Sequence, residues 1–324
     1  MQIISIPAIL VEETGLKLWQ VEQTVALLGE GATVPFVARY RKEVTGELDE
    51  VQIRELKDRL DYHQDLHQRR QTILKSIEDQ GCLTPELRVK IEAARQKTIL
   101  EDLYLPYRPK RRTKAAIARE RGLEPLAEQL LKARQGGPAG HDLAEAYINP
   151  AMEVTTAEEA LTGAGHIIAE QFADAAEVRA LVRDLSWQKG LFRSQPARSN
   201  QAEVSKFEMY YDFSEPIRQI PSHRILAMMR GEREGVLRLN LEAPQQEILE
   251  RLRFLLIPQG SGFMGFLSDC IADAYKRLLA PSIELDLRVR AKVAADDQAI
   301  RVFADNLRNL LLAAPAGSRR LRGV

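Results

Sequence analysis

Apolar residues along this chain recur mostly at intervals of three and four, the spacing of amphipathic helices. Val21, Val25 and Leu28 fall on one face of a first helix, which Gly29 and Gly31 end. Asp49 then caps a long helix, with Gln52 in the capping-box position. Ile53, Leu56, Leu60, His63, His67, Arg70, Leu74 and Ile77 carry that helix to Gly81. Thr84-Pro85-Glu86 predicts another start: a capping hydroxyl, a first-turn proline and a carboxylate suited to the helix dipole. Pro106 and Pro109 hold residues 104–110 out of helix, and a short helix is predicted from Lys114 to Gly122. Thr156 with Glu159, and Asp174 with Glu177, read as two more capping boxes ahead of apolar runs.

The pattern changes after the polar stretch 194–206, which predicts a linker or exposed loop. Residues 221–235 predict a short helix capped by Ser222 and stopped by Gly231. Leu237, Leu239 and Leu241 alternate with polar residues and form the best strand candidate. Helices are then predicted over 244–257, 263–279 and 282–312. The last carries Ile283, Leu287, Ile300, Phe303, Leu307 and Leu310, and at about 45 Å it is long enough to be a spine. The expected fold is therefore mainly α, a multi-helix scaffold with at most a minor β element near 236–241.

Charge narrows the function classes. Lysine plus arginine number 46 and aspartate plus glutamate number 46, so net charge is zero and any electrostatic role must come from local clustering. The clearest cluster is Arg108, Lys110, Arg111, Arg112 and Lys114, with Tyr104 and Tyr107 just before it. Arg39, Tyr40, Arg41 and Lys42 form a second. Cations beside aromatic rings can hold phosphates and stack on bases or sugars. The competing reading is that these arginines brace loops, with Glu101 and Asp102 as ready partners.

No catalytic constellation stands out. Gly260, Gly262 and Gly265 match the dinucleotide fingerprint, with Glu284 and Asp286 further on, but the run before them reads as helix, where the fingerprint needs a strand. His63 and His67 have zinc spacing without a third ligand. Cys82 and Cys270 match no metal or redox motif and suit a reducing cytoplasm. The amino-terminal stretch lacks the basic region of a signal peptide, and no apolar run reaches a membrane span. The expectation is a non-enzymatic protein with no cofactor or metal.

Five blocks carry a family resemblance. EGATVPFVARYRKEVTGELDE at 30–50 and LEDLYLPYRPKRRTKAAIARERGLEPLA at 100–127 are the most specific. YDFSEPIRQIPSHRILAMMRGEREGVLRLNL, AYKRLLAPSIE and VFADNLRNLLLAAPAG follow in order, so the match runs from about residue 10 to 317. The chain resembles the amino-terminal part of the Tex transcription accessory proteins, relatives of a large eukaryotic transcription elongation factor. The resemblance implies a helical scaffold with a helix-turn-helix-like unit near the amino terminus. It implies a Tex amino-terminal-like domain over 1–195 and a central helical region over 206–324. Complete members continue with RNase-H-like, helix-hairpin-helix and OB-fold RNA-binding parts, so a chain ending at SRRLRGV reads as a truncated member. The functional expectation is a nucleic-acid-associated scaffold contacting RNA or DNA, weakly as it stands, through Arg39, Arg41, Lys42, Arg108, Lys110, Arg111, Arg112 and Lys114. A platform for proteins of the transcription machinery, with no nucleic-acid binding of its own, is the alternative.

Overall fold

The computed structural model describes residues 5–108, 112–135, 137, 139–197 and 205–313. The chain separates into two compact units, Met1–Pro109 and Lys110–Val324. That division falls well before the one expected between 195 and 206, a stretch that a β-sheet bridges.

The first unit is built on one long helix. α1 (Ile6–Thr14) and α2 (Leu18–Gly29) lead into α3 (Val34–Tyr40), α4 (Lys42–Thr45) and α5 (Glu50–Asp79), followed by α6 (Pro85–Ala93) and α7 (Lys97–Tyr104). α5 starts where its capping box predicts. The Gln52 amide donates to Asp49 Oδ1 at 2.8 Å, and the Asp49 amide donates to Gln52 Oε1 at 3.0 Å. Thr84 caps α6 in the same way, accepting from the Leu87 amide at 3.2 Å. The amino-terminal half of α5 buries Ile53, Leu56 and Leu60 against α1, α2 and α3. Its second half buries Leu66, Ile73 and Ile77 with Ile91 of α6 and Leu100 and Tyr104 of α7. Gly31, at φ +90°, turns α2 into α3. Two details differ from the sequence reading. α1 precedes the helix expected to be first, and past His63 the buried stripe of α5 runs through Leu66 and Ile73, leaving His67 exposed.

The second unit wraps helices around α11. α8 (Lys114–Glu120), α9 (Glu124–Lys132) and α10 (Gly140–Glu145) pack on α11 (Ala157–Asp174), which buries Ala160, Ala164, Ile167, Ile168, Ala169 and Phe172. Thr156 caps α11 by accepting from the Glu159 amide at 3.1 Å. The Glu159 carboxylate reaches back to Thr155, so the box is offset by one residue. The second start falls one residue later than its spacing predicts: Asp174 is the last residue of α11, and Ala175 takes the N-cap position of α12 (Ala176–Lys189).

β1 (Leu191–Pro196), β2 (Phe213–Pro216) and β3 (Leu237–Glu242) make an antiparallel sheet in the order β2-β1-β3. β3 is the strand its alternating leucines predict. β1 corrects the linker reading of residues 194–206: residues 194–196 belong to the central strand, while 198–204 lie outside the described residues. α13 (Ser222–Arg233) runs through Gly231 rather than stopping there. A Cβ at Gly231 would lie 2.6 Å from Leu237 Cδ1, so this glycine lets β3 close onto the helix. The terminating glycine is Gly235, at φ +74°. Ser222 is the first residue of α13, and its hydroxyl bonds to Gln298 rather than capping.

α14 (Gln245–Leu256) is followed by α15 (Met264–Asp273), a π-helical turn (Ala274–Leu279) and α16 (Ala280–Leu311). The break expected between 279 and 282 is absent, and helix continues from Met264 to Leu311. Pro281 lacks an amide hydrogen and would clash with the carbonyl one turn back. The wider π turn immediately before it accommodates this without ending the rod. No helix among the described residues is long and apolar enough to cross a membrane.

Candidate nucleic-acid interface

At the α3–α4 corner the core and the charge sit on opposite sides of a short helix. Val34, Val37 and Ala38 are buried, at three- and four-residue spacing, against Leu48 and Ile53. The same helical period turns Phe36, Arg39 and Tyr40 outward, where all three are exposed. Arg41 breaks the helix at φ −132°, ψ 27°, and Lys42 begins α4; both are exposed. Among the described residues, Arg39, Arg41 and Lys42 form no ion pair. The Arg41 guanidinium lies 5.5 Å from the centroid of the Phe36 ring, and the Phe36 and Tyr40 rings are tilted at 5.4 Å. Three cations without carboxylate partners and two exposed rings therefore share one corner. The sequence reading found the cations and Tyr40 but missed Phe36, whose signal is its place opposite Val34, Val37 and Ala38.

The second cluster is less of a surface than its charge density suggests. Lys110 and Arg111 lie outside the described residues. Arg108, in the first unit, is exposed without an ion-pair partner among the described residues. In the second unit, Arg112 pairs with Glu120 at 3.2 Å, both well exposed, a contact of small energetic weight. Lys114 is exposed at the start of α8. It borders a groove of about 800 Å³ that also holds Glu153, Glu158 and Glu159, so the groove does not favour an anion. His166 in that groove is pushed down by burial first, then by the charges of Lys114 and Arg277.

The two tyrosines expected to flank this cluster are packed inward. Tyr104 is 8% exposed, bonds Ser76 at 3.0 Å and has Arg69 over its ring; Tyr107 packs on the same core. Glu101 is held by Arg69 through two hydrogen bonds of 2.6 and 2.9 Å, so it does not brace the basic loop. Asp102 is buried.

The other chemical candidates resolve into packing. Gly260–Gly262 pair with the backbone at 133–135: the Gln135 amide donates to the Gly260 carbonyl, and the Gly262 amide to the Ala133 carbonyl. Helix α14, not a strand, precedes them, and the Gly262 amide that a pyrophosphate would use is already occupied. The Cys270 thiol is pushed up to about 12, mainly by burial and then by Asp269 and Asp273, which leaves it protonated and inert. His67 bonds Gln71 rather than joining His63.

His63 is buried and meets Glu13 at 3.1 Å, with Arg59 on the other carboxylate oxygen at 3.1 Å. Burial raises Glu13, but the hydrogen bonds from His63 and Arg59 outweigh it and hold the carboxyl below the usual carboxylate range. A carboxylate depressed in the folded state stabilises above its unfolded pKa and loses that contribution as pH falls through the folded one. Glu13→Gln should therefore lower stability at neutral pH, with the difference from the parent fading below about pH 4. Urea unfolding at the two pH values checks this, and an equal difference at both would refute it.

A second exposed feature lies on α16. Its buried residues are Ile283, Leu287, Ala291 and Ala295. Leu285, Val289, Val293, Ile300, Phe303, Leu307 and Leu310 are exposed, and at 100° per residue they fall on one stripe.

Comparison with known proteins places this architecture. Residues 4–78 match the family model described as Tex-like protein N-terminal domain, and residues 138–303 match the Tex central region-like model. The chain is 44% identical over 327 residues to the transcriptional accessory protein Tex of Neisseria gonorrhoeae, covering 99% of this chain and 42% of that protein. It is 43% identical to protein YhgF of Escherichia coli, covering 94% of this chain and 40% of that one. It is 28% identical to the human S1 RNA-binding domain-containing protein 1, covering 98% and 33%. The chain thus spans about two fifths of the length of the bacterial relatives it matches. With the central-region model alone spanning half of its residues, the chain belongs to the Tex family.

Proposed function

We propose that this chain is a non-catalytic, nucleic-acid-associated scaffold in transcription and RNA metabolism, acting in the cytoplasm without a cofactor. One observation carries the reading: Arg39, Arg41 and Lys42 stand exposed on one corner beside two exposed rings, and none of them is ion-paired to a described carboxylate. The name of the gonococcal relative supports the transcription setting. Arg108, Lys110, Arg111, Arg112 and Lys114 supply further cationic groups on this reading.

The test is fluorescence anisotropy with single-stranded RNA and duplex DNA across a salt series. Log affinity should fall linearly with log salt, by about 0.7 per phosphate contact for single strands and about 0.9 for duplex. Absence of binding to both at low salt would overturn the proposal.

The apolar stripe on α16 favours a second reading, an interaction platform for the transcription machinery. On that reading the stripe takes an amphipathic helix of a partner laid along it. Purified RNA polymerase and elongation factors, immobilised in turn, should retain the parent chain and lose a Phe303→Asp/Leu307→Asp variant. Equal retention of both chains, or of neither, rejects this reading.

A further inference from the structure

Phosphate attraction explains Arg39, Arg41 and Lys42, but not the rings beside them. Phe36 is 41% exposed and Tyr40 64%, although the buried side of α3 has its own apolar residues. Both rings are exposed and tilted against each other at 5.4 Å, and Arg41 adds a planar cation over Phe36. Planar faces interleaved with positive charge match a nucleotide, which offers a flat base and an adjacent phosphate.

The local geometry also separates single strands from duplex. A recognition helix reads a major groove with polar side chains at its amino-terminal end. The first turn of α3 is Val34, Pro35 and Phe36, with Val34 buried, and carries no polar side chain; Thr33 at the N-cap is the one hydroxyl at that end. Its cations lie at the opposite end, on Arg39, Arg41 and Lys42. The helix has seven residues, about 10 Å of length, before Arg41 breaks it. A ring on a convex corner reaches the face of a base only when that base is unpaired and unstacked.

We propose that the α3–α4 corner binds single-stranded nucleic acid, RNA or DNA, with an unpaired base stacked on Tyr40 and Phe36 and the adjoining phosphates on Arg39, Arg41 and Lys42. This rests on the nucleic-acid reading above and adds to it the ligand class and the two stacking residues.

The full chain is titrated by anisotropy at one fixed salt concentration against a short oligouridylate, an abasic strand with the same number of phosphates, and a duplex. The base-bearing strand should bind about tenfold more tightly than the abasic one, the size expected for one stacked base. Tyr40→Leu, and Phe36→Leu with it, should remove that advantage while leaving abasic binding unchanged. Thermal melting confirms folding of each variant, and if the double variant is destabilised the single Tyr40→Leu is the one compared. Equal affinity for base-bearing and abasic strands overturns the stacking proposal but leaves phosphate contact standing. So does an unaffected Tyr40→Leu variant, or duplex binding as tight as single-strand binding. Binding to none of the three removes both readings. A protein partner for the corner, through its exposed aromatic and arginine side chains, would then be the remaining use.

Discussion

Replacing Arg39, Arg41 and Lys42 together with glutamine should reduce affinity for single-stranded RNA by about two orders of magnitude at 0.1 M salt. Three phosphate contacts at about 0.7 each contribute about 2 to the slope of log affinity against log salt, or two decades between 1 M and 0.1 M. The parent should show the steeper slope, and the two lines should converge at high salt, where condensed counterions are no longer diluted away. Stability should hardly move. The three side chains are exposed and make no ion pair with any described residue, so apart from the Arg41–Phe36 contact the replacement is worth within about 0.5 kcal/mol. The substitution also removes the Arg41 guanidinium from the face of Phe36, an interaction worth about 0.5–1 kcal/mol at an exposed site. Parallel salt lines for parent and variant would show that nucleic acid is not held at this corner. A variant that melts many degrees lower would show the cluster to be structural.

Why this corner and not the denser run at 108–114 was hard to see in sequence has a physical answer. Charge density is visible in a string of letters, but the use of a charge is not. Arg69, more than thirty positions before the run, takes Glu101 and covers the face of Tyr104. The spacing of Leu100 and Tyr104, four apart, already puts Tyr104 on the buried side of α7. In α3 the same four-residue spacing joins Phe36 and Tyr40, yet Val34, Val37 and Ala38 claim the core side and leave the rings outside. The deciding signal is thus which apolar set lies opposite.

The elements show the same division. Starts written by a hydroxyl or carboxylate three residues from an amide, as at Asp49, Thr84 and Thr156, were legible because the bond is local. α1 was missed because no side chain caps it and both faces of IPAILVEET are partly apolar. The join at Pro281 was misread because a proline signals a break, and only the preceding π turn shows that the rod continues. β1 was missed because one of its two inward positions is a serine: Phe192 and Ser194 are the residues it buries, so the alternation that marks β3 is absent.

That strand supplies the largest stability effect. Phe192→Ala should destabilise the second unit by about 3–5 kcal/mol, the range for emptying a buried phenylalanine site. Phe192 is 1% exposed in the central strand, opposite Leu241 of β3 and Glu215 of β2, and belongs to the core cluster that also holds Ile248 and Leu252 of α14. In a unit of this size each kcal/mol corresponds to about 2–4 °C, so the melting temperature should fall by about 6–20 °C. Arg193→Ala is the internal control, since Arg193 lies on the other face of the same strand and its ion pair with Glu242 is about half exposed; it should cost about 1 kcal/mol or less. Differential scanning calorimetry of the three chains separates the cases. If Phe192→Ala melts within a degree or two of the parent, residues 194–196 are part of a surface segment as their polarity suggested, and the sheet that joins α12 to α14 does not stabilise the unit. If only the inward position is sensitive, the alternation hidden by Ser194 is the real pattern of the strand.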